Sequence, residues 1–383
     1  MSKLCFVMIL AFALLFTACE SPEVREESEE QSVPSEQTEK KSEAPKPVQP
    51  APQPIKKEEP APLTNVVVPE KTLEKVALCL CWQTQCQFAG FYAALENGFY
   101  KDEGLDVTLK PGGPDVRPFQ EVADGNVQFG TGQAQEVLLA RDKGMAIQCV
   151  ATNFQIGALR LVANKSLGIT GPEDLRGKKI SLWFGGYEYQ CLGLLERSGI
   201  SKEEVTLEKQ GWTMDDFCAG KVDVASVMVY NELNTLYEKG VKDIDILNYA
   251  DYGINFPEDT IFALEKYIQQ RPDVVEKIVR ASYRGWKWAM ENPHETVKIV
   301  MKHNDKLNVE HETSMLREVF KLMVNQNTKE NGLGYIYTPD WINMSKILFQ
   351  QKLLKEMPDI SKAVNPFFVE KVKILPPATL PTF

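Results

Sequence analysis

From Val76 onward the sequence alternates between short apolar runs and segments whose apolar residues recur at helical spacing. Alternation of this kind builds helices packed on a mostly parallel β-sheet. Strand character falls at 76–82, 105–109, 127–130 and 147–152. Phe88, Phe91, Tyr92, Leu95 and Phe99 mark a helix between the first two, ending near Gly98. A second set of strands follows at 158–163, 179–183, 205–209, 222–229 and 244–248. Residues 260–264 then read as a strand returning to the first set. The remainder is helical, with Val275, Ile278, Val279, Ser282, Trp286 and Met290 on one face of segment 274–292. The pattern predicts an α/β body of two lobes with two crossovers between them. Lobe 1 is expected over 76–165 and 260–383, and lobe 2 over 166–259.

What precedes the body differs in kind. Residues 4–16 form an apolar run shorter than the roughly 20 residues a membrane span needs, and suit the core of a signal peptide over 1–18. The run ends in Leu15-Phe16-Thr17-Ala18-Cys19, which resembles the bacterial lipobox, where the cysteine is acylated and becomes the mature N-terminus. The plainer alternative is a signal peptide followed by an incidental cysteine. Residues 19–75 are rich in Glu, Ser, Pro, Lys and Gln, a composition that cannot offset its ordering entropy by burial. They are expected to tether the body to a membrane through lipid alone, on the periplasmic or outer surface.

Charge and reactive residues narrow the chemistry. A net charge of −10 repels phosphate backbones and argues against nucleic acid as a partner. Six of the eight cysteines fall in the body: Cys79, Cys81, Cys86, Cys149, Cys191 and Cys218. Six allow 15 full pairings, and none is assigned. Cys79-x-Cys81-x4-Cys86 lacks paired short zinc spacings with a partner cluster, so no metal is expected. The three histidines, His294, His303 and His311, lie in the late helical section and read as solvent-facing. No nucleophile–base set emerges, and neither an enzyme nor a resident cofactor is expected.

The order of several segments is more telling. Phe88-Ala89-Gly90-Phe91-Tyr92 leads through Asn97-Gly98-Phe99-Tyr100 to Glu103-Gly104-Leu105-Asp106-Val107. Further along stand Gly112-Gly113-Pro114-Asp115, Leu182-Trp183-Phe184-Gly185-Gly186, Val229-Tyr230-Asn231-Glu232 and Asn331-Gly332-Leu333-Gly334. Together they resemble the ABC-importer solute-binding proteins related to thiamine-pyrimidine synthases and sulfonate-binding proteins. The branch that binds flavin or pyrimidine vitamin precursors is the nearest in pattern. The resemblance spans roughly 76–349 and departs at the cysteine-rich Cys79, Cys81 and Cys86. It implies a two-lobed periplasmic-binding-protein-like fold of type II, acting as a monomer. Capture of a small molecule by lobe closure and delivery to an ABC permease follow from it. The closing hinges are expected near 162–165 and 257–260.

Ligands of open α/β sheets bind beyond the carboxyl ends of strands. Trp82, Gln83, Gln87, Gly112, Gly113, Asp115, Gln133, Trp183, Phe184, Gly185, Gly186, Tyr187, Tyr230, Asn231 and Glu232 are the candidate contacts. Aromatic faces stack a flat heteroaromatic ring, amides and carboxylate meet its edge, and glycines admit backbone amides. Each has a plainer role. Trp82, Trp183 and Phe184 suit core packing, Glu232 suits a helix first turn, and Gly185-Gly186 suits a tight turn. Two alternatives stay open: a sulfonate or other small anion held by Arg117 or Arg160, and a synthase-like enzyme in the same fold.

Overall fold

The computed structural model describes residues 72–383. The expected signal peptide, the Cys19 acyl site and all but the last residues of the expected tether lie outside the described residues. The strands are β1 Glu74–Cys79, β2 Leu105–Lys110, β3 Phe129–Gly132, β4 Ile147–Phe154, β5 Leu159–Asn164, β6 Lys179–Leu182, β7 Thr206–Lys209, β8 Val224–Met228, β9 Ile244–Asn248 and β10 Glu258–Leu264. They form two five-stranded sheets, β2-β1-β3-β10-β4 and β7-β6-β8-β5-β9. Because β1 pairs Glu74 with Leu105, the last two residues of the expected tether already belong to the first sheet.

Each sheet has a parallel core and one antiparallel strand. In the first, β1 is parallel to β2 and β3, while β10 runs against β3 and β4. In the second, β6 is parallel to β7 and β8, while β5 runs against β8 and β9. The reversed strands are the two that arrive from the other lobe. A chain leaving the carboxyl end of one sheet enters the facing sheet where its parallel strands finish, and so runs opposite to them. This moves the first crossover. β5 was expected in lobe 1 with a hinge near 162–165, yet Val162 pairs with Ala225 and Ile246 in the second sheet. The chain crosses instead at 155–158, and returns through 249–257.

The expected helix after β1 is divided at Gly98, whose φ of 75° ends Ala89–Glu96 before Phe99–Asp102. Behind it lies the helix Pro272–Glu291, with Val275, Ile278, Val279, Ser282, Trp286 and Met290 all buried. The two helices touch through glycines. A Cβ on Gly90 would stand 2.1 Å from Trp286, and one on Gly285 would stand 2.1 Å from the Gly90 carbonyl oxygen. Complete burial of side chains such as Ile278 stabilises the fold by roughly 1.5–3 kcal/mol each. That packing holds the segment from β1 to Ala89–Glu96, from which the first wall of the site is made. Among the described residues no helix is long and apolar enough to cross a membrane.

Candidate functional site

A cavity of about 130 Å3 lies where the carboxyl ends of the two sheets face each other. A hollow of about 440 Å3 opens elsewhere on lobe 1, around Lys110, Asp115, Arg117 and Glu121. Its walls include no aromatic side chain, so volume is a poor guide here and lining a better one.

Four turns build the inter-lobe cavity. The turn after β1 supplies Cys81, Trp82, Gln85 and Gln87; β6 leads to Trp183, Phe184 and Tyr187; β7 leads to Trp212; β8 leads to Met228, Tyr230, Asn231 and Glu232. Local bonds fix each turn. Cys81 N donates to Thr131 Oγ1 at 2.9 Å, and Cys86 N to Glu312 Oε2 at 2.6 Å. Gln210 grips Ser226 twice, donating to its carbonyl and accepting from its amide at 2.7 and 2.8 Å. That grip and the bond from Trp183 Nε1 to Gly211 O, 3.0 Å, hold the base of the loop carrying Trp212. Trp82 and Trp212 then meet across the lobes with centroids 5.2 Å apart and planes inclined by 42°.

The polar side of the cavity is acidic. Glu232 opens the helix Glu232–Glu238; its Oε2 accepts from Met228 N at 3.0 Å and its Oε1 from Asn231 Nδ2 at 2.8 Å. Burial raises its carboxyl above the ordinary range, against the lowering effect of the Met228 bond. Behind Gln87 sits Asp259, fully buried with φ 50°, accepting from Gln87 Nε2 and from the Cys81 thiol. Its neighbour Glu258 accepts from Ala158 N at 2.8 Å at the crossover, and its Oε2 has no partner among the described residues. Burial pushes Asp259 up to about 7; burial and then the Asp259 charge push Glu258 up to about 8.

Of the expected contacts, Trp82, Gln87, Trp183, Phe184, Tyr187, Tyr230, Asn231 and Glu232 line this cavity. Gln133 lies beside it, its Nε2 3.3 Å from Tyr187 Oη. The others lie elsewhere or are otherwise engaged. Gln83 is exposed. Gly112 packs under the first turn, donating to Trp82 O at 2.8 Å, where a Cβ would come within 2.2 Å of Leu80 O. Gly113 faces the Gln83 side chain. The amides of Gly185 and Gly186 are taken by Glu188 Oε2 at 3.0 and 2.7 Å, so the expected exposed amides are already satisfied. Asp115 belongs to the polar hollow on lobe 1, as does Arg117.

Sequence reasoning missed Trp212, Met228, Asp259 and His311. An aromatic next to a glycine just past a strand, Gly211-Trp212, was the available signal for the first. Nothing in the sequence marked Asp259, whose role comes from strand pairing. His311, expected to face solvent, joins the lobes: its Nδ1 is 2.9 Å from Glu238 Oε1 and its Nε2 3.0 Å from Asn231 Oδ1. All six body cysteines are free thiols. Among the described residues no group of three or more His, Cys, Asp or Glu is placed to hold a metal ion.

Residues 85–296 match the family model described as NMT1/THI5 like. The chain is 30% identical over 332 residues to the riboflavin-binding protein RibY of Chloroflexus aurantiacus, covering 81% of this chain and 92% of that one. It is 26% identical over 276 residues to the formylaminopyrimidine-binding protein of Halalkalibacterium halodurans, covering 70% and 82%. A 4-amino-5-hydroxymethyl-2-methylpyrimidine phosphate synthase of Legionella pneumophila is 24% identical over 304 residues, covering 77% and 92%. Among solved structures, the periplasmic aliphatic sulphonate-binding protein SsuA of Escherichia coli superposes with a TM-score of 0.61 at 13% identity, over 81% of this chain and 96% of that one. The architecture is the two-lobed periplasmic-binding-protein fold.

Proposed function

The chain belongs to the NMT1/THI5-like family, and we propose that it is a substrate-binding protein that captures a planar heteroaromatic vitamin or vitamin precursor, a flavin or a thiamine pyrimidine, for an ABC importer. One observation carries the reading: Trp82 and Trp212 come from opposite lobes and meet in the wall of a cavity otherwise lined by aromatic, amide, carboxylate and two sulfur side chains. The two rings touch each other, and a flat ring that enters as the lobes part takes a stacking face from each and ties the lobes together. The names of the two binding-protein relatives point to the same ligand chemistry. A small anion is the poorer fit, because neither Arg117 nor Arg160 is among the walls. Arg160 is turned to the backbone oxygens of Gly157 and Leu159.

The working cycle proposed is closure and delivery. Lobes hinged at 155–158 and 249–257 close on the ring, and the closed form docks on a membrane permease. Acylation at Cys19 and the polar segment 19–75 keep the body, acting as a monomer, at the periplasmic or outer face of a membrane. Capture without turnover is the role proposed, although a synthase is also among the relatives.

Tryptophan fluorescence and thermal melting of the purified protein against riboflavin and 4-amino-5-hydroxymethyl-2-methylpyrimidine test this. Saturable quenching is expected, with a rise in Tm corresponding to about 2.7 kcal/mol at a hundredfold excess over Kd. Response to an alkanesulfonate with none to either ring compound would overturn the ligand class.

A further inference from the structure

Gln87 Nε2 lies 3.0 and 2.9 Å from the two carboxyl oxygens of Asp259, and Gln85 Nε2 lies 2.7 Å from Gln87 Oε1. These contacts have a direction. Once ionised, above about pH 7, the Asp259 carboxylate only accepts, so it takes the nitrogen end of the Gln87 amide, and the Gln87 oxygen is left to accept from Gln85. All three side chains are buried, Asp259 completely. Asp259 cannot turn away to water, and its backbone is held in the left-handed region at the start of β10. Gln85 is the end of the relay and a wall of the cavity. One of its two N–H groups is held by Gln87, and its Oε1 has no donor among the described residues.

The other polar groups around the cavity agree in sign. Cys81 turns its thiol to Asp259, 3.4 Å away. Asn231 gives its Nδ2 to Glu232, and its Oδ1 faces His311. Each Glu232 oxygen accepts one bond and keeps a further lone pair. Among the described residues no Lys or Arg lines the cavity, so a phosphate or sulfonate placed there would lose its hydration with no cation from these walls to replace it.

We propose that Asp259, acting through Gln87, holds the Gln85 carboxamide with its oxygen toward the cleft, so that the site selects a heteroaromatic ring presenting an N–H donor edge and refuses its phosphorylated or sulfonated forms. Gln85 and Glu232 are the acceptors that meet this edge; Gln87 and Asp259 are positioning residues. The proposal rests on the planar-ring reading of the cleft and adds which edge is read.

Calorimetry on the full chain at about pH 8.5, where Asp259 is ionised, uses two sets of probes. One is riboflavin, N3-methylriboflavin and FMN; the other is 4-amino-5-hydroxymethyl-2-methylpyrimidine, its 4-dimethylamino analogue and its phosphate. For whichever parent binds, masking the N–H and adding the phosphate are each expected to weaken binding about tenfold or more. Gln87→Leu frees the Gln85 amide to turn, and the parent-to-methylated ratio is expected to fall to within about threefold. A residue that merely supported the fold would weaken both ligands and leave that ratio unchanged. Gln85→Leu, which leaves Gln87 on Asp259, gives the same collapse and serves where Gln87→Leu does not fold. A parent that binds no better than its methylated or phosphorylated form overturns the proposal and leaves the planar-ring reading standing. Failure of both parents to bind overturns the two together.

Discussion

His311 Nε2 lies 3.0 Å from Asn231 Oδ1, so a helix on the lobe 1 side, Val309–Met323, is joined to the residue just before Glu232 in lobe 2. The other ring nitrogen reaches Glu238 further along the lobe 2 helix. A bridge of this kind exists only when the lobes are together, and so it acts on the closed state. His311→Ala is expected to speed ligand release by roughly three- to tenfold, since a net hydrogen bond is worth about 1 kcal/mol. The association rate should change less, because encounter precedes closure. Stopped-flow fluorescence separates the two rates. An unchanged dissociation rate would show that the bridge is incidental.

Trp212 carries a different kind of prediction. It is 67% exposed and its main aromatic neighbour is Trp82. Little of the core depends on it, so Trp212→Ala should leave Tm within about 2 °C of the native value. Ligand affinity should nonetheless fall by about tenfold or more, through loss of one stacking face. Trp212→Phe should recover part of that. A calorimetric Kd for each variant, beside a thermal melt, decides the point.

Much of the architecture was legible because it rests on local periodicity. The buried face of Pro272–Glu291 and the strand at Ile244–Asn248 follow from side-chain spacing alone. Trp82 and the Tyr230-Asn231-Glu232 turn were legible because polar and aromatic residues just past a parallel strand have few places to go. What stayed hidden depends on pairing. The run ending at Ala163 is apolar enough for either sheet, and only the crossover at 155–158 assigns it to the second. Gly185 and Gly186 looked like free amides because nothing local showed that Glu188 would turn back to cap both. Asp259 is an ordinary acid in the sequence and becomes a buried anchor only when β10 enters between β3 and β4.

Two glycines separate contact from conformation. Gly285 has φ outside the left-handed range, and a Cβ there would meet Gly90 O at 2.1 Å and Ala94 at 2.7 Å. Gly285→Ala must push two buried helices apart, and is expected to cost about 1–3 kcal/mol or more. Gly98 has φ 75°, and a Cβ there would meet nothing within 4 Å. Gly98→Ala should therefore cost only about 1 kcal/mol, from backbone strain alone. Urea titrations of both should show the larger fall in midpoint for Gly285→Ala; the reverse order would mean that the helix contact yields easily.

The crossover acids make stability depend on pH in an unusual direction. Asp259 and Glu258 are pushed up to about 7 and about 8, chiefly by burial, whereas in the unfolded chain both titrate near about 4. Between those limits the folded protein holds protons that the unfolded chain has released. Stability from this source is therefore fully present below about pH 4 and is lost as pH rises through 7 to 8, with a slope of at most about 1.4 kcal/mol per pH unit for each group. Ion-paired acids such as Asp273 and Glu276, whose carboxyls are lowered chiefly by Arg271 and Lys371, act the other way but only in acid. From about pH 5.5 to 8.5 the crossover pair should dominate, and Tm should fall. Glu258→Gln keeps an oxygen for Ala158 N and Asp259→Asn keeps one for Gln87, while neither titrates. Each substitution should flatten the decline, the double variant most, leaving the slope that other buried acids raised in the same direction, Glu232 among them, contribute. Calorimetric Tm measured across that range, in buffers of matched ionic strength, reads the slope directly. A native Tm that is level or rising, with the double variant parallel to it, would mean that the pair stays ionised and that the crossover is far better solvated than its geometry indicates.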